Sequence, residues 1–181
     1  MKYSTFLPAT LFSLVFFSCG KDEQKSFPKE TTTGANTFGF YIGKYEFLPC
    51  KQLGGISPAK RLKATIHYLN SDYVDLSISA INDCDTRDTL GSSIILSFDS
   101  IKIATGTTYK LGTFNTKNTV SCYYWENLNE FSSDSTLAGN LTVTYFDNTR
   151  KIVSGKFEAT LKNREGTRTV NVTKGIFDVT F

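Results

Sequence analysis

Histidine, methionine and tryptophan occur once each in this 181-residue chain, and proline four times. With His67 as the single histidine, any Ser-His-Asp or Cys-His arrangement has to use it, and no Gly-x-Ser-x-Gly elbow accompanies it. Neither Cys-x-x-Cys nor His-x-x-x-His spacing occurs, so the four cysteines and His67 form no zinc motif. No run reaches the roughly 20 apolar residues that a helix needs to cross a bilayer. An excess of one charge is also lacking. The net charge is +3, with Lys and Arg interspersed among Asp and Glu, which leaves no footprint for nucleic acid.

What is abundant fits a pleated, half-buried surface: 15 Phe and 9 Tyr, with much Thr, Ser, Ile and Val. From Phe38 onward the hydrophobic period is two. The clearest case is Tyr73–Ile81, where Val74, Leu76, Ile78 and Ala80 share one face and Asp75, Ser77 and Ser79 the other. Leu62, Ala64, Ile66 and Tyr68 alternate in the same way. So do Val120, Cys122 and Tyr124, then Phe157, Ala159 and Leu161, and then Phe177, Val179 and Phe181. Turn residues separate these runs, as at Asn70–Asp72, Asp147–Arg150 and Asn163–Gly166. The pattern predicts an all-β domain over residues 37–181, an antiparallel β-sandwich or flattened β-barrel of about nine strands. One turn of helix is expected around Glu126–Phe131.

The N-terminal stretch reads differently. Lys2 and the apolar run Phe6–Phe17 have the length and charge order of a signal peptide covering residues 1–18, with Ser18 ahead of Cys19. We read Cys19 as the lipid attachment site and new N-terminus, carrying diacylglycerol. Two acyl chains at about 0.8 kcal/mol per buried CH₂ anchor stably where one would not. The segment resembles the lipoprotein signals of Bacteroidota. Lys21, Asp22 and Glu23 resemble the surface-export signal of those lipoproteins. Residues 19–36, polar and broken by Pro28 and Gly34, are expected to be a flexible linker.

The C-terminal third carries a further resemblance. Gly139, Leu141, Val143 and Thr144; then Ile152, Val153, Ser154, Gly155 and Phe157; then Val170, Val172, Thr173, Gly175, Phe177 and Asp178 follow a spaced pattern. That pattern is similar to a family of uncharacterised Bacteroidota lipoproteins with a domain of unknown function. The resemblance implies an all-β envelope domain and brings no catalytic residues with it. Gly155 and Gly175, inside strand patterns, predict bulges or close backbone approach.

With Cys19 acylated, Cys50, Cys84 and Cys122 allow one intramolecular disulfide at most. Cys50–Cys84 is preferred, because both lie at strand ends where geometry is freer, while spacing alone leaves the other pairings open. Asp83, Asp85 and Asp88 crowd one loop, which lacks the Gly and closing Glu of an EF-hand calcium site. Tyr123 and Trp125, pointing away from Tyr124, form a candidate ligand platform. No catalytic residue, metal or cofactor is assigned. The expectation is a lipid-anchored outer-membrane domain, at the cell surface or on the periplasmic face, that binds a glycan or an envelope protein. The alternatives are a carboxylate-based, glycan-acting hydrolase and a purely structural envelope protein.

Overall fold

The computed structural model describes residues 26–50, 61–84, 91–126 and 128–181. The stretch expected to be a signal peptide, Cys19 and Lys21–Glu23 lie outside the described residues, as do Asp85 and Asp88. Among the described residues there is no helix; eleven strands form one antiparallel sheet that curls into a half-barrel. The sheet curls around its own interior, with the strands Tyr45–Phe47 and Leu62–Tyr68 at the two ends of its strand order.

The first strand, β1 (Thr37–Ile42), turns at Gly43 into β2 (Tyr45–Phe47). A meander follows: β3 (Leu62–Tyr68), β4 (Val74–Asn82), β5 (Ser92–Ile101), and, beyond the short β6 (Thr108–Lys110), β7 (Thr119–Glu126) and β8 (Asn129–Ser132). The last three strands are long: β9 (Gly139–Asp147), β10 (Ile152–Asn163) and β11 (Thr169–Thr180). The spatial order is β2-β1-β11-β10-β8-β7-β5-β4-β3, with β9 filling the other part of the β10 edge and β6 pairing β9. The helical turn expected around Glu126–Phe131 is corrected. Glu126 pairs Asn129 and Tyr124 pairs Phe131 in a β7–β8 hairpin. A four-residue strand is too short to show a period, and cross-strand pairing decides its conformation.

The predicted alternation places the core. Leu76, Ile78 and Ala80 of β4 are buried, as are Ile94, Leu96 and Phe98 of β5. Rings from both neighbouring and non-neighbouring strands meet inside. Phe40 of β1 lies edge-on to Tyr124 of β7 at 5.9 Å and stacks on Phe47 of β2 at 4.4 Å. Each such buried Phe contributes roughly 2–3 kcal/mol of transfer free energy, and well-placed ring pairs add about 1 kcal/mol.

Beyond the end of β3, the backbone of Cys50 takes the next place beside β4. Its amide donates to the Ile81 carbonyl at 3.0 Å, and its carbonyl accepts from the Asp83 amide at 2.9 Å. A disulfide joins Cys50 to Cys84, with Cα atoms 5.6 Å apart and a sequence separation of 34. In the chain-entropy account, closing a loop of that size contributes about 4 kcal/mol. Cys122 keeps a free thiol, fully buried between β5 and β8, and burial pushes its pKa upward. It is neither a ready nucleophile nor a ready pairing partner.

Residues 19–36 were expected to be linker; the structure corrects this over the described part. From Phe27 to Asn36 the chain lies against the sheet as a strap. Phe27 stacks on Tyr41 at 4.7 Å, and Pro28 is buried where Gly39 has no side chain to keep it out. The strap is fixed on Asp178, whose carboxylate accepts from the amides of Gly34 (2.9 Å), Thr33 and Ala35 (3.1 Å each) and from the hydroxyls of Thr31 (2.5 Å) and Ser154 (2.7 Å). Gly34 takes φ = +73° at this turn, a conformation that glycine adopts without a Cβ penalty.

Candidate functional site

Between the strap and the outer face of β9, β10 and β11 runs a groove of about 740 Å³. Strand alternation supplies its floor. Leu141, Val143, Phe157 and Phe177 point into the core, so the residues between them point out. In register across the floor stand Thr142, Lys156 and Ile176, and beside them Asn140 and Glu158. The strap supplies the wall with Phe27, Pro28, Lys29 and Glu30. Lys156 bridges floor and wall through Glu30 at 2.8 Å, an exposed pair that contributes at most about 1 kcal/mol. Lys174, at the end of the groove, has its ammonium 5.7 Å from the Tyr41 ring that carries Phe27.

Apolar surface from Phe27, Pro28 and Ile176 thus alternates with hydrogen-bonding groups from Asn140, Lys156, Glu158 and Lys174. The lining contains no Ser, Cys or His; its titratable groups are the carboxylates of Glu30 and Glu158 and the ammonium groups of Lys29, Lys156 and Lys174. Its volume lies in the range of small-ligand clefts, which combine an apolar body with a few placed polar groups.

The buried carboxylate beneath the strap sets the groove's geometry. Burial pushes the Asp178 carboxyl upward, but hydrogen bonds from Thr31, Ser154, Ala35 and Gly34 outweigh it and hold the group down at about 2. Asp178 is therefore ionised near neutral pH, where it holds the wall in place.

The residues singled out from the sequence lie elsewhere. Tyr123 and Trp125 are half-buried on the face opposite Tyr124, and the ring of Phe114 packs on Tyr123 at 4.9 Å. Burial, with a hydrogen bond to Glu130, raises the Tyr123 pKa. Exposed His67 stands opposite Asp75 in the β3–β4 pair, far along the sheet from the groove. Asp75 shares a sheet face with Asp99, whose carboxyl is raised by burial and by Asp75 and lowered by the Ser97 hydroxyl. Sequence reasoning missed the strap and Lys156. The signal was there in a run of hydroxyl and glycine donors, Thr31–Gly34, and in an Asp amid strand residues.

The fold and groove define a small all-β half-barrel domain with a ligand-sized cleft on its outer face. No solved structure and no curated protein matches the chain. A family model, Domain of unknown function (DUF6252), matches residues 59–179, and the chain belongs to that family. The matched span contains Ser154 and Asp178 and begins after the strap.

Proposed function

We propose that this protein is a lipid-anchored cell-envelope binding module, without catalysis of its own, whose strap groove takes a glycan or an extended segment of an envelope protein. The observation that carries this reading is the groove itself: a cleft whose wall is held by Asp178 and whose lining combines polar and apolar groups. The anchor in this reading is Cys19, with Lys21, Asp22 and Glu23 directing the chain to the surface of the outer membrane. The segment from Cys19 to Phe27 reaches at most about 30 Å when fully extended, so the groove works close to the membrane surface.

Two experiments test it. Glycan and envelope-protein arrays probed with the purified chain should give a ligand whose affinity falls about tenfold or more in Lys156→Glu and Ile176→Asp. Both residues are on the outer face, so the thermal midpoint should move little. Negative arrays at high sensitivity, or variants that bind as wild type, overturn the groove assignment. Separately, Cys19→Ala should abolish acyl labelling and release the protein from membranes; labelling that persists refutes the anchor.

A further inference from the structure

The end of the half-barrel at which the strap meets Thr180 carries a second surface, distinct from the groove. Among the described residues five large hydrophobic side chains are markedly exposed, and three of them, Tyr68 (48%), Leu69 (49%) and Tyr73 (46%), flank the single turn between β3 and β4. The turn is rigid. Asn70 accepts through Oδ1 from the amides of Asp72 (2.9 Å) and Tyr73 (3.0 Å), and the Leu69 amide donates to the Tyr73 carbonyl at 3.0 Å. Lys102 pins the tip through Asp72 at 3.0 Å. A backbone held this way presents Tyr68, Leu69 and Tyr73 from a defined turn, and tyrosine is a residue enriched among interface anchors.

Beside them sits a cation with no carboxylate of its own. The Lys151 ammonium donates to the Tyr68 hydroxyl at 2.7 Å and to Asn148 Oδ1 at 3.0 Å, and Tyr68 in turn donates to Asn148. It lies 5.0 Å from the Tyr68 ring centre and 5.6 Å from that of Phe181, which stacks on Phe146. Among the described residues no carboxylate comes within ion-pair distance of it. The acids at this end already have partners: Asp72 in Lys102, Asp147 in the amides of Thr149 and Arg150, and Asp75 in the amide of Ser100. A fixed, aromatic-caged cation next to exposed tyrosines is complementary to an apolar side chain flanked by a carboxylate.

The geometry points to a docking site, formed by Tyr68, Leu69, Tyr73 and Lys151, for an acidic segment of a partner protein in which Asp or Glu adjoins a large apolar residue. An anionic bilayer is the lesser fit, because it would engage a spread of cations rather than one caged lysine.

The test uses the purified full-length chain. A phage-displayed random dodecapeptide library is panned on wild type, and vesicles of phosphatidylglycerol and phosphatidylethanolamine are assayed in parallel. Enriched peptides should carry Asp or Glu beside Leu, Ile or Phe. Their affinity should fall about tenfold or more in Lys151→Glu and in Tyr73→Ser, and stay unchanged in Lys156→Glu. Tyr73→Ser alters only an exposed ring, so it decides the matter if Lys151→Glu fails to fold. Absence of enrichment, enriched peptides without an acid, or equal binding by Tyr73→Ser overturns the proposal. Vesicle binding that Lys151→Glu abolishes, with no peptide enriched, assigns the surface to membrane instead.

Discussion

Asp178→Ala will lower the folding free energy by about 3–4 kcal/mol and free the strap. The substitution removes the one ionised acceptor on which the amides of Thr33, Gly34 and Ala35 and the hydroxyls of Thr31 and Ser154 converge. Charge-assisted bonds are the strong class, and losing five of them at once is costly. Urea unfolding reads the stability loss, and trypsin cleavage after Lys29 reads strap release. A variant that stays within about 1 kcal/mol of wild type, with Lys29 protected, refutes the clamp.

The same carboxylate makes stability depend on pH with a definite sign. Its folded pKa of about 2 lies below the ordinary Asp value of about 3.9 in the unfolded chain. The stabilisation, about 2–3 kcal/mol, is therefore fully present above pH 4 and is lost as pH falls toward 2. Asp134 and Asp147 are also held low, by Thr136 and by Arg150 respectively, and contribute to the acid slope. Subtracting the profile of Asp178→Asn from that of wild type isolates the clamp. A difference that is flat between pH 4 and pH 2 contradicts it.

The second large effect is expected at Gly155. A Cβ placed there would meet the Phe177 ring at 2.5 Å and the Thr142 carbonyl oxygen at 2.5 Å. Phe177 is buried in the core, and the oxygen belongs to the β9 backbone beside a register shift, so neither can yield. Gly155→Ala should cost about 3 kcal/mol or more, at the upper end of overpacking. Gly43 and Gly106 are the controls. Both have φ between +58° and +80° with nothing within 4 Å, so Ala there should cost only about 1 kcal/mol of backbone strain. A loss at Gly155 no larger than at the two controls would contradict the close approach.

The long strands were legible in the sequence because one face of each is buried, and a period of two is the direct imprint of that burial. Val74 to Ala80 illustrate it. The choice between sandwich and barrel was not legible, since alternation names an inner face without saying what it packs against. The short β6 and β8 were missed because three or four residues carry no period. The groove was hidden for a related reason. Asp178 falls on the outward parity of β11, between Phe177 and Val179, and so reads as a solvated acid. It is buried because a segment some 140 residues earlier lies over it, and a relation at that distance leaves no local trace.

That distance also governs when the domain can assemble. β11 is the last strand in chain order, yet it lies inside the sheet between β1 and β10. Until it has been synthesised, β1 has no neighbour but β2 and the strap has no acceptor. Pairings of such large sequence separation form late and slowly. An emerging chain therefore leaves the ribosome with its first strands unsatisfied. For the exported protein proposed above, this means that the fold completes only after the last strand has crossed the membrane.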